Sequence, residues 1–270
     1  MHRFPPVLAF AILLLTASEA EAHEFWISPH SYETAARIIA DFRVGQNFLG
    51  EPFPLLPFAL EKFEVSSGGR GVPVNGRPGD LPALDMEAPD EGLAVITAVT
   101  LGTIVEYTDM EMFAAFLDSK GLSEVLDQHR ARGLPEFGFT ETYRRFAKSL
   151  VAVGDGAGQD SELGLETEIV AGANPYTDDM TDGLPVQVLY QGAPRADAQL
   201  DIFAREPAGE VTLTSVRSDG DGRYTVPVRA GVEYLLDAVT MRPAPETQEE
   251  GAPVWQSLWA SLTFRVPADR

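Results

Sequence analysis

One residue near the N-terminus could chelate a metal ion without help from the rest of the chain. A short apolar segment ends in Ala20-Glu21-Ala22, and His23 and Glu24 follow it. Cleavage after Ala22 would leave His23 with a free α-amino group beside its imidazole ring. These two nitrogens can close a chelate ring on a transition metal, for which imidazole is the commonest protein ligand. We therefore expect His23 to hold a divalent transition metal.

The first 22 residues have the three parts of a secretory signal peptide in the usual order. Arg3 supplies the positive charge, residues 7–15 the apolar region, and Ala20 and Ala22 a small-residue cleavage site. The apolar region is too short for a transmembrane helix, which needs about 20 residues. We therefore predict a signal peptide over residues 1–22, a periplasmic mature protein, and no insertion of that protein into the membrane.

The composition limits both the ligands and the partners. The chain has no cysteine, which excludes disulfide bonds and thiolate ligands, so any metal must be held by nitrogen and oxygen. The formal net charge is −21, and loss of Arg3, Glu19 and Glu21 with the signal peptide leaves −20. This balance excludes nucleic acid as a partner, because the phosphate backbone selects basic surfaces.

Two further residues are candidate metal ligands. Glu24 could add an oxygen or orient His23, although neighbouring residues of a strand point to opposite faces and a surface role is the alternative. His30 could approach His23 only if the chain turns back at Pro29. If the chain continues extended, the two histidines lie more than about 20 Å apart, at ~3.3 Å per residue. His129 falls on the polar side of a predicted helix, where we expect it to be exposed to solvent.

The pattern of apolar residues predicts a mostly β fold with two β-sandwich-like domains. Short β-type runs separated by Pro and Gly fill residues 23–172, with a small helical insertion at about 109–132 that turns at Gly121. Residues 173–270 contain about six short strands at regular spacing. This spacing favours an immunoglobulin-like sandwich of the carboxypeptidase-regulatory type.

Sequence signatures of the common enzyme classes are absent. The chain has neither a Gly-x-Ser-x-Gly elbow nor a glycine motif that cradles phosphate, and it has no cysteine nucleophile. We therefore predict that it is not an enzyme. A copper oxidase of the histidine-brace kind also begins with a mature histidine, but it needs a second histidine close by, which only His30 or His129 could supply.

Four segments of the chain together resemble a known family. They are Ala22-His23-Glu24-Phe25-Trp26-Ile27; Glu141-x-Tyr143-Arg144-Arg145-Phe146-Ala147-Lys148 with Leu150-Val151; Glu168-Ile169-Val170 before Asn174-Pro175-Tyr176; and the turn Ser218-Asp219-Gly220-Asp221-Gly222-Arg223-Tyr224. On these motifs the chain resembles the DUF4198 family, which is related to periplasmic components of nickel and cobalt uptake systems. The resemblance implies an exported, mostly β protein with a proposed role in divalent metal uptake, and it does not imply catalysis.

These observations lead to one functional hypothesis and one competitor. The hypothesis is an exported accessory protein of a nickel or cobalt uptake system, which binds the metal (nickel or cobalt, with copper possible) through His23 and works with a membrane permease. The competitor is a non-metal module for envelope interaction or adhesion, in which His23 has no role. Arg144, Arg145 and Lys148 stand out in so acidic a chain. Arginine-carboxylate pairs between the domains would explain them, and contact with an anionic ligand is the alternative.

Overall fold

The structure is a computed structural model that describes residues 23–245, 249 and 251–268. The predicted signal peptide, residues 1–22, lies outside the described residues. The described part of the chain is mostly β, as predicted, with a small helical insertion.

Among the described residues, nine strands precede the helical insertion and nine follow it. In chain order the first are β1 (Glu24–Pro29), β2 (Glu33–Thr34), β3 (Arg37–Gln46), β4 (Leu49–Phe53), β5 (Leu60–Ser67), β6 (Arg70–Pro73), β7 (Leu84–Glu87), β8 (Gly92–Thr100) and β9 (Thr103–Tyr107). The others are β10 (Phe139–Val153), β11 (Thr167–Ala171), β12 (Leu184–Tyr190), β13 (Ala193–Pro194), β14 (Gln199–Arg205), β15 (Val211–Arg217), β16 (Arg223–Val226), β17 (Glu233–Pro243) and β18 (Trp255–Arg265). A single 3₁₀ turn at Pro57–Ala59 precedes β5.

The helical insertion consists of α1 (Met110–Ser119) and α2 (Glu124–Ala131). Asp109 caps α1, because its Oδ1 accepts a hydrogen bond from the backbone N–H of Met112 at 2.8 Å. Gly121 follows α1 with a φ of 63°, a left-handed conformation that glycine adopts without strain. The helices pack against β9, β10 and β18 through an aromatic core that includes Phe113, Phe139 and Trp255.

One sheet of ten strands, here called the long sheet, runs through the molecule. Its order is β15-β14-β17-β18-β10-β8-β5-β6, and β2 and β9 pair with β10. The N-terminal sheet has the order β1-β3-β4 with β7 on β3, and the C-terminal sheet has the order β11-β12-β13 with β16 on β12. Strand β10 is central to this arrangement because it pairs in parallel with β18 and antiparallel with β8.

The two smaller sheets cover opposite faces of the long sheet. Strand β8 shows this alternation, since Leu93 and Val95 belong to the core under the C-terminal sheet while Ala94 and Ile96 belong to the core under the N-terminal sheet. The strands of the C-terminal half therefore form a β-sandwich, and the N-terminal sheet forms a second layered unit with β5, β8 and β10.

The strands do not separate at the predicted domain boundary between residues 172 and 173. Strand β11 lies before this boundary, yet its five residues pair with β12 from the other side. Strand β18, near the end of the chain, pairs along nine residues of β10. Because a parallel pair needs a long connection between its strands, the chain returns to the sheet that its first half began. The two predicted units therefore share one sheet.

No helix in the described ranges is both long and apolar enough to cross a membrane.

Candidate functional site

His23 lies immediately before β1, and three side chains from the long sheet hold this strand in place. Arg145 donates from Nη2 to the backbone oxygen of His23 at 3.0 Å. Ser261 donates to the oxygen of Phe25 at 2.9 Å, and Thr263 donates to the oxygen of Ile27 at 2.7 Å. On its other edge β1 pairs with β3. The start of the strand is therefore fixed on both edges.

Arg145 reaches His23 from β10 across the layer between the two sheets. Its guanidinium lies 4.6 Å from the ring centroid of Tyr143 and 5.7 Å from that of Phe25. Burial lowers the pKa of Arg145, but an arginine remains charged at any physiological pH. The backbone of His23 is thus held by a buried cation.

The side chain of Glu24 points into a buried charged group that we call the Lys120 cluster, made of Lys120, Glu24, Asp201 and Asp237. Nζ of Lys120 lies 3.4 Å from Glu24, 3.2 Å from Asp201 and 3.0 Å from Asp237. The exposed fraction of each of these side chains is 8% or less. Lys120 caps the C-terminal end of α1, and the carboxylates come from β1, β14 and β17. The cluster therefore ties the helical insertion to both sheets.

The oxygens of the Lys120 cluster have further donors. Oε2 of Glu24 accepts the backbone N–H of Asn47 at 3.1 Å. Oδ1 of Asp201 accepts from Ser215 at 2.6 Å and from Gln199 at 3.0 Å. Buried charged groups need hydrogen-bond partners, and these donors supply partners for the carboxylate oxygens.

Charge and burial shift the pKa values in this cluster in opposite directions. Burial raises the pKa of Asp237 to about 6, against the lowering effect of Lys120 and with a smaller raising effect of Glu24 and Asp201. Burial alone would lower the pKa of Lys120, but the three carboxylates outweigh it and raise that pKa above its ordinary value. Lys120 is therefore protonated and surrounded by an excess of acidic groups.

The three predicted metal ligands are not brought together. Glu24 belongs to the Lys120 cluster. Neighbouring residues of a strand point to opposite faces, so a strand would place the side chain of His23 on the face opposite to that of Glu24. His30 follows the other end of β1, and its Nε2 lies 3.2 Å from Oδ2 of Asp41. The extended strand puts more than about 20 Å between His23 and His30. The described residues contain no group of three or more His, Asp or Glu side chains suited to a metal ion.

His129 is buried, which corrects the prediction of an exposed side chain. Only 1% of it is accessible. Nδ1 accepts a hydrogen bond from the indole N–H of Trp255 at 3.0 Å, and Nε2 lies 2.9 Å from the backbone oxygen of Pro135. Because α2 packs on aromatic residues on this side, the histidine fills the core between the helix and β18 and has both nitrogens engaged.

The basic residues Arg144 and Lys148 have structural partners. Arg144 pairs with Glu61 and, at 3.4 Å, with Glu166. Lys148 is fully buried and lies 2.9 Å from both Asp160 and Glu168. We call these three residues the Lys148 cluster. Arg144 therefore pairs with carboxylates, but both lie within the predicted N-terminal domain and not across the predicted domain boundary. The contact of Arg145 with His23 was not foreseen.

The other motifs also fix the backbone. The Asn174 side chain donates to the backbone oxygens of Gly156 and Gly158, both at 2.8 Å. The Tyr176 hydroxyl donates to the oxygen of Leu150 at 2.6 Å. Oδ1 of Asp219 accepts the N–H groups of Asp221 and Arg223 and so closes a turn. These residues stabilise loops and strand ends.

Sequence reasoning missed two carboxylates of the Lys120 cluster, Asp201 and Asp237. Each stands alone in a short apolar run, Leu-Asp-Ile-Phe for Asp201 and Leu-Leu-Asp-Ala-Val for Asp237. A lone carboxylate at a buried position needs a partner, so the sequence around these two residues could have predicted a buried charged partner. The sequence could not identify that partner as Lys120, because Lys120 lies at the end of a separate helix.

The fold and the site define a mostly β protein of layered sheets, in which the first described strand is anchored between layers beside a buried ionic cluster. The chain belongs to the DUF4198 family, described as a domain of unknown function, whose model matches residues 20–242. No curated protein matches the chain significantly in sequence.

Two solved structures show a distant similarity. The tetra-tandem repeat in the extending region of a large adhesion protein is 13% identical with a TM-score of 0.21, over 91% of this chain and 50% of that one. This chain therefore spans half the length of that structure. The D0-D1 domain of Intimin is 12% identical with a TM-score of 0.19, over 90% of this chain and 97% of that one. Similarities this low carry no conclusion about function.

Proposed function

We propose that the mature protein is periplasmic, begins at His23, and binds a divalent transition metal through the α-amino and imidazole nitrogens of that residue. The metal is nickel or cobalt, with copper as an alternative, and the protein serves as an accessory to uptake through a membrane permease. This role accords with the resemblance of the opening motif to a family related to nickel and cobalt uptake.

The observation that carries the proposal is the fixed position of His23. Its carbonyl oxygen accepts a hydrogen bond from Arg145, and the next residue is paired with β3 and buried through its side chain. A chelate gains affinity when its donor atoms are ordered before the ligand arrives, since less conformational freedom is lost on binding. Anchoring at the first residue supplies this order.

The surroundings of His23 favour a cation at this end of the molecule. The Lys120 cluster holds three carboxylates against one lysine, and it begins with the neighbouring residue, Glu24. Buried charges are screened by salt much less than exposed ones. The excess of negative charge therefore offsets part of the repulsion between a metal ion and Arg145.

Two donors from one residue leave most of the coordination shell open. Nickel and copper sites with nitrogen ligands commonly have four or more ligands. Water or a ligand from a partner protein would occupy the remaining positions, which suits a protein that passes its metal on. A storage protein would enclose the ion.

The test is isothermal titration of correctly processed protein with nickel, cobalt and copper. His23→Ala removes the imidazole, and an N-terminal Gly-Ser extension removes the terminal amine while keeping every side chain. We expect either change to abolish most of the affinity and to leave the fold intact. His30→Ala is the matched control, because this histidine lies at the other end of β1 and should leave the affinity unchanged.

Equal affinities for the native and extended proteins would overturn the proposal. Mass spectrometry of the exported protein checks its premise, since the first residue must be His23. If the processed protein binds none of the three metals, the alternative of a non-metal module for envelope interaction takes its place.

A further inference from the structure

The two ends of the long sheet are protected differently. At one end β6 has four residues and contains Arg70, Gly71 and Pro73. Short length, charge and proline are the usual devices that prevent an edge strand from pairing with another chain. At the other end β15 has seven residues, with no charge, glycine or proline from Val211 to Val216. Leu213 in its middle is 49% exposed.

The backbone hydrogen bonds between β14 and β15 show which N–H and C=O groups of β15 face away from β14. The N–H of Glu206 donates to the oxygen of Glu210 at 2.8 Å, and the N–H of Ser218 donates to the oxygen of Ala198 at 2.9 Å. Both bonds continue the register that pairs Ile202 with Thr214.

Hydrogen-bonded pairs alternate along an antiparallel ladder, so the even-numbered residues of β15 bond to β14. The odd-numbered residues direct their N–H and C=O groups outward: Val211, Leu213, Ser215 and Arg217.

We propose that two copies of the chain associate by antiparallel pairing of their β15 strands around a two-fold axis at Thr214. In this register Leu213 lies opposite the partner's Ser215, and Val211 lies opposite the partner's Arg217. Every outward-facing N–H and C=O group of β15 then has a partner in the other copy. The long sheets of the two copies become one continuous sheet.

The side chains are compatible with this pairing by a second copy. The two Thr214 residues meet at the axis, and threonine pairs across strands are favourable. Arg217 is held by Asp197 of its own chain, with 2.5 Å between Nε and Oδ1, and it lies opposite an uncharged valine. No like charges face one another, although each mature copy carries a net charge of −20. Repulsion between the copies should weaken as salt screens these charges.

The experiment is sedimentation of the mature protein at high micromolar concentration in about 0.15 M and about 1 M salt, where the screening length falls from about 8 to 3 Å. We expect a dimer that tightens with salt. Thr214→Lys and Thr214→Glu should each be monomeric, because like charges would meet at the axis. An equimolar mixture of the two variants should recover the dimer, since lysine then lies opposite glutamate.

Thr225→Lys, at an exposed position on β16, is the matched control and should remain dimeric. Leu213→Pro gives a second variant, since its N–H faces away from β14 and proline is tolerated at that side of an edge strand. It should be folded by circular dichroism and monomeric. A native protein that is monomeric at both salt concentrations, a dimer that survives Thr214→Lys, or a mixture that stays monomeric would overturn the proposal.

Discussion

Two buried lysines in this protein are surrounded by carboxylates, but in different ways. Lys148 has two acidic partners, Asp160 and Glu168, both at 2.9 Å. Lys120 has three acidic partners at 3.0 to 3.4 Å. The first cluster is compact, and the second has more carboxylates at longer distances.

The carboxylates of the Lys148 cluster also receive a dense set of backbone hydrogen bonds. Asp160 accepts the N–H groups of Ser161 and Ala171, both at 2.9 Å. Glu168 accepts the N–H groups of Leu163 and Leu165 at 3.0 to 3.3 Å. These backbone donors satisfy the carboxylate oxygens and fix the loop between β10 and β11. This arrangement is suited to a permanent structural role.

The Lys120 cluster lacks such a density of backbone donors and joins four distant elements. Burial, with a smaller contribution from Glu24 and Asp201, raises the pKa of Asp237 against the lowering effect of Lys120. The cluster also begins one residue after the proposed metal ligand. The comparison teaches that the first cluster stabilises the fold, whereas the second can respond to charge and pH.

The largest effect should come from Lys148→Met. The change leaves Asp160 and Glu168 buried without a cation, and removal of one partner from a buried ion pair costs about 3–5 kcal/mol. Urea unfolding of native and variant protein measures the loss. Lys62→Met is the control, because the partly exposed pair of Lys62 with Glu64 should contribute less than about 1 kcal/mol. Equal losses for the two variants would contradict the structural role of Lys148.

Lys120→Met should destabilise the protein less at neutral pH, at the lower end of the about 3–5 kcal/mol that removal of one partner from a buried ion pair costs. Asp237, whose pKa burial already raises to about 6, can take up a proton and relieve part of the repulsion, so the loss should shrink as the pH is lowered toward 5. Unfolding curves at pH 7.5 and pH 5 test this dependence. A loss that is the same at both pH values would show that the two clusters do not differ as described.

The same comparison explains what could be predicted from the sequence. The members of the Lys148 cluster lie within a short stretch of chain. Two of them, Lys148 and Glu168, belong to motifs that the sequence analysis singled out. Short β-type runs separated by Pro and Gly likewise predicted strands, and apolar residues at helical spacing predicted the helical insertion, since these patterns are local. The mostly β fold was predicted correctly for this reason.

Features that depend on distant parts of the chain were not predictable in this way. The pairing of β18 with β10 joins residues more than a hundred positions apart, and it places both predicted domains in one sheet. Lys120 was invisible as a partner for Asp237 for the same reason. His129 was misplaced because the polar neighbours Asp127, Gln128 and Arg130 suggested solvent, whereas the imidazole fills a gap in an aromatic core.

Asp237→Asn should change the dependence of stability on pH. Because burial raises the pKa of Asp237 in the folded state from 3.8 to about 6, the native state retains a proton that the unfolded state releases. The contribution of Asp237 to stability is therefore greatest below pH 4 and is lost as the pH rises through 6. Asparagine does not titrate.

The measured quantity is the free energy of unfolding of both proteins between pH 4 and pH 7. Relative to the variant, the native protein should lose about 1–3 kcal/mol across this range. Parallel curves for the two proteins would mean that Asp237 titrates at its ordinary value and that the acidic excess has no consequence.

The smallest effect should come from Glu24→Gln. This variant tests whether the Lys120 cluster and the proposed metal site act independently of each other. Glu24 makes the longest of the three contacts with Lys120, at 3.4 Å, and two carboxylates remain after the change. Glutamine can still accept the backbone N–H of Asn47. The free energy of unfolding in urea should therefore shift less than for Lys120→Met, because the charge of Lys120 stays compensated. Titration with nickel should show only a small loss of affinity, from the loss of one negative charge near the site, because the side chain of Glu24 points away from the face on which a strand would place His23. A large loss of nickel affinity with unchanged stability would instead make Glu24 a ligand and would require Lys120 to release it when metal binds.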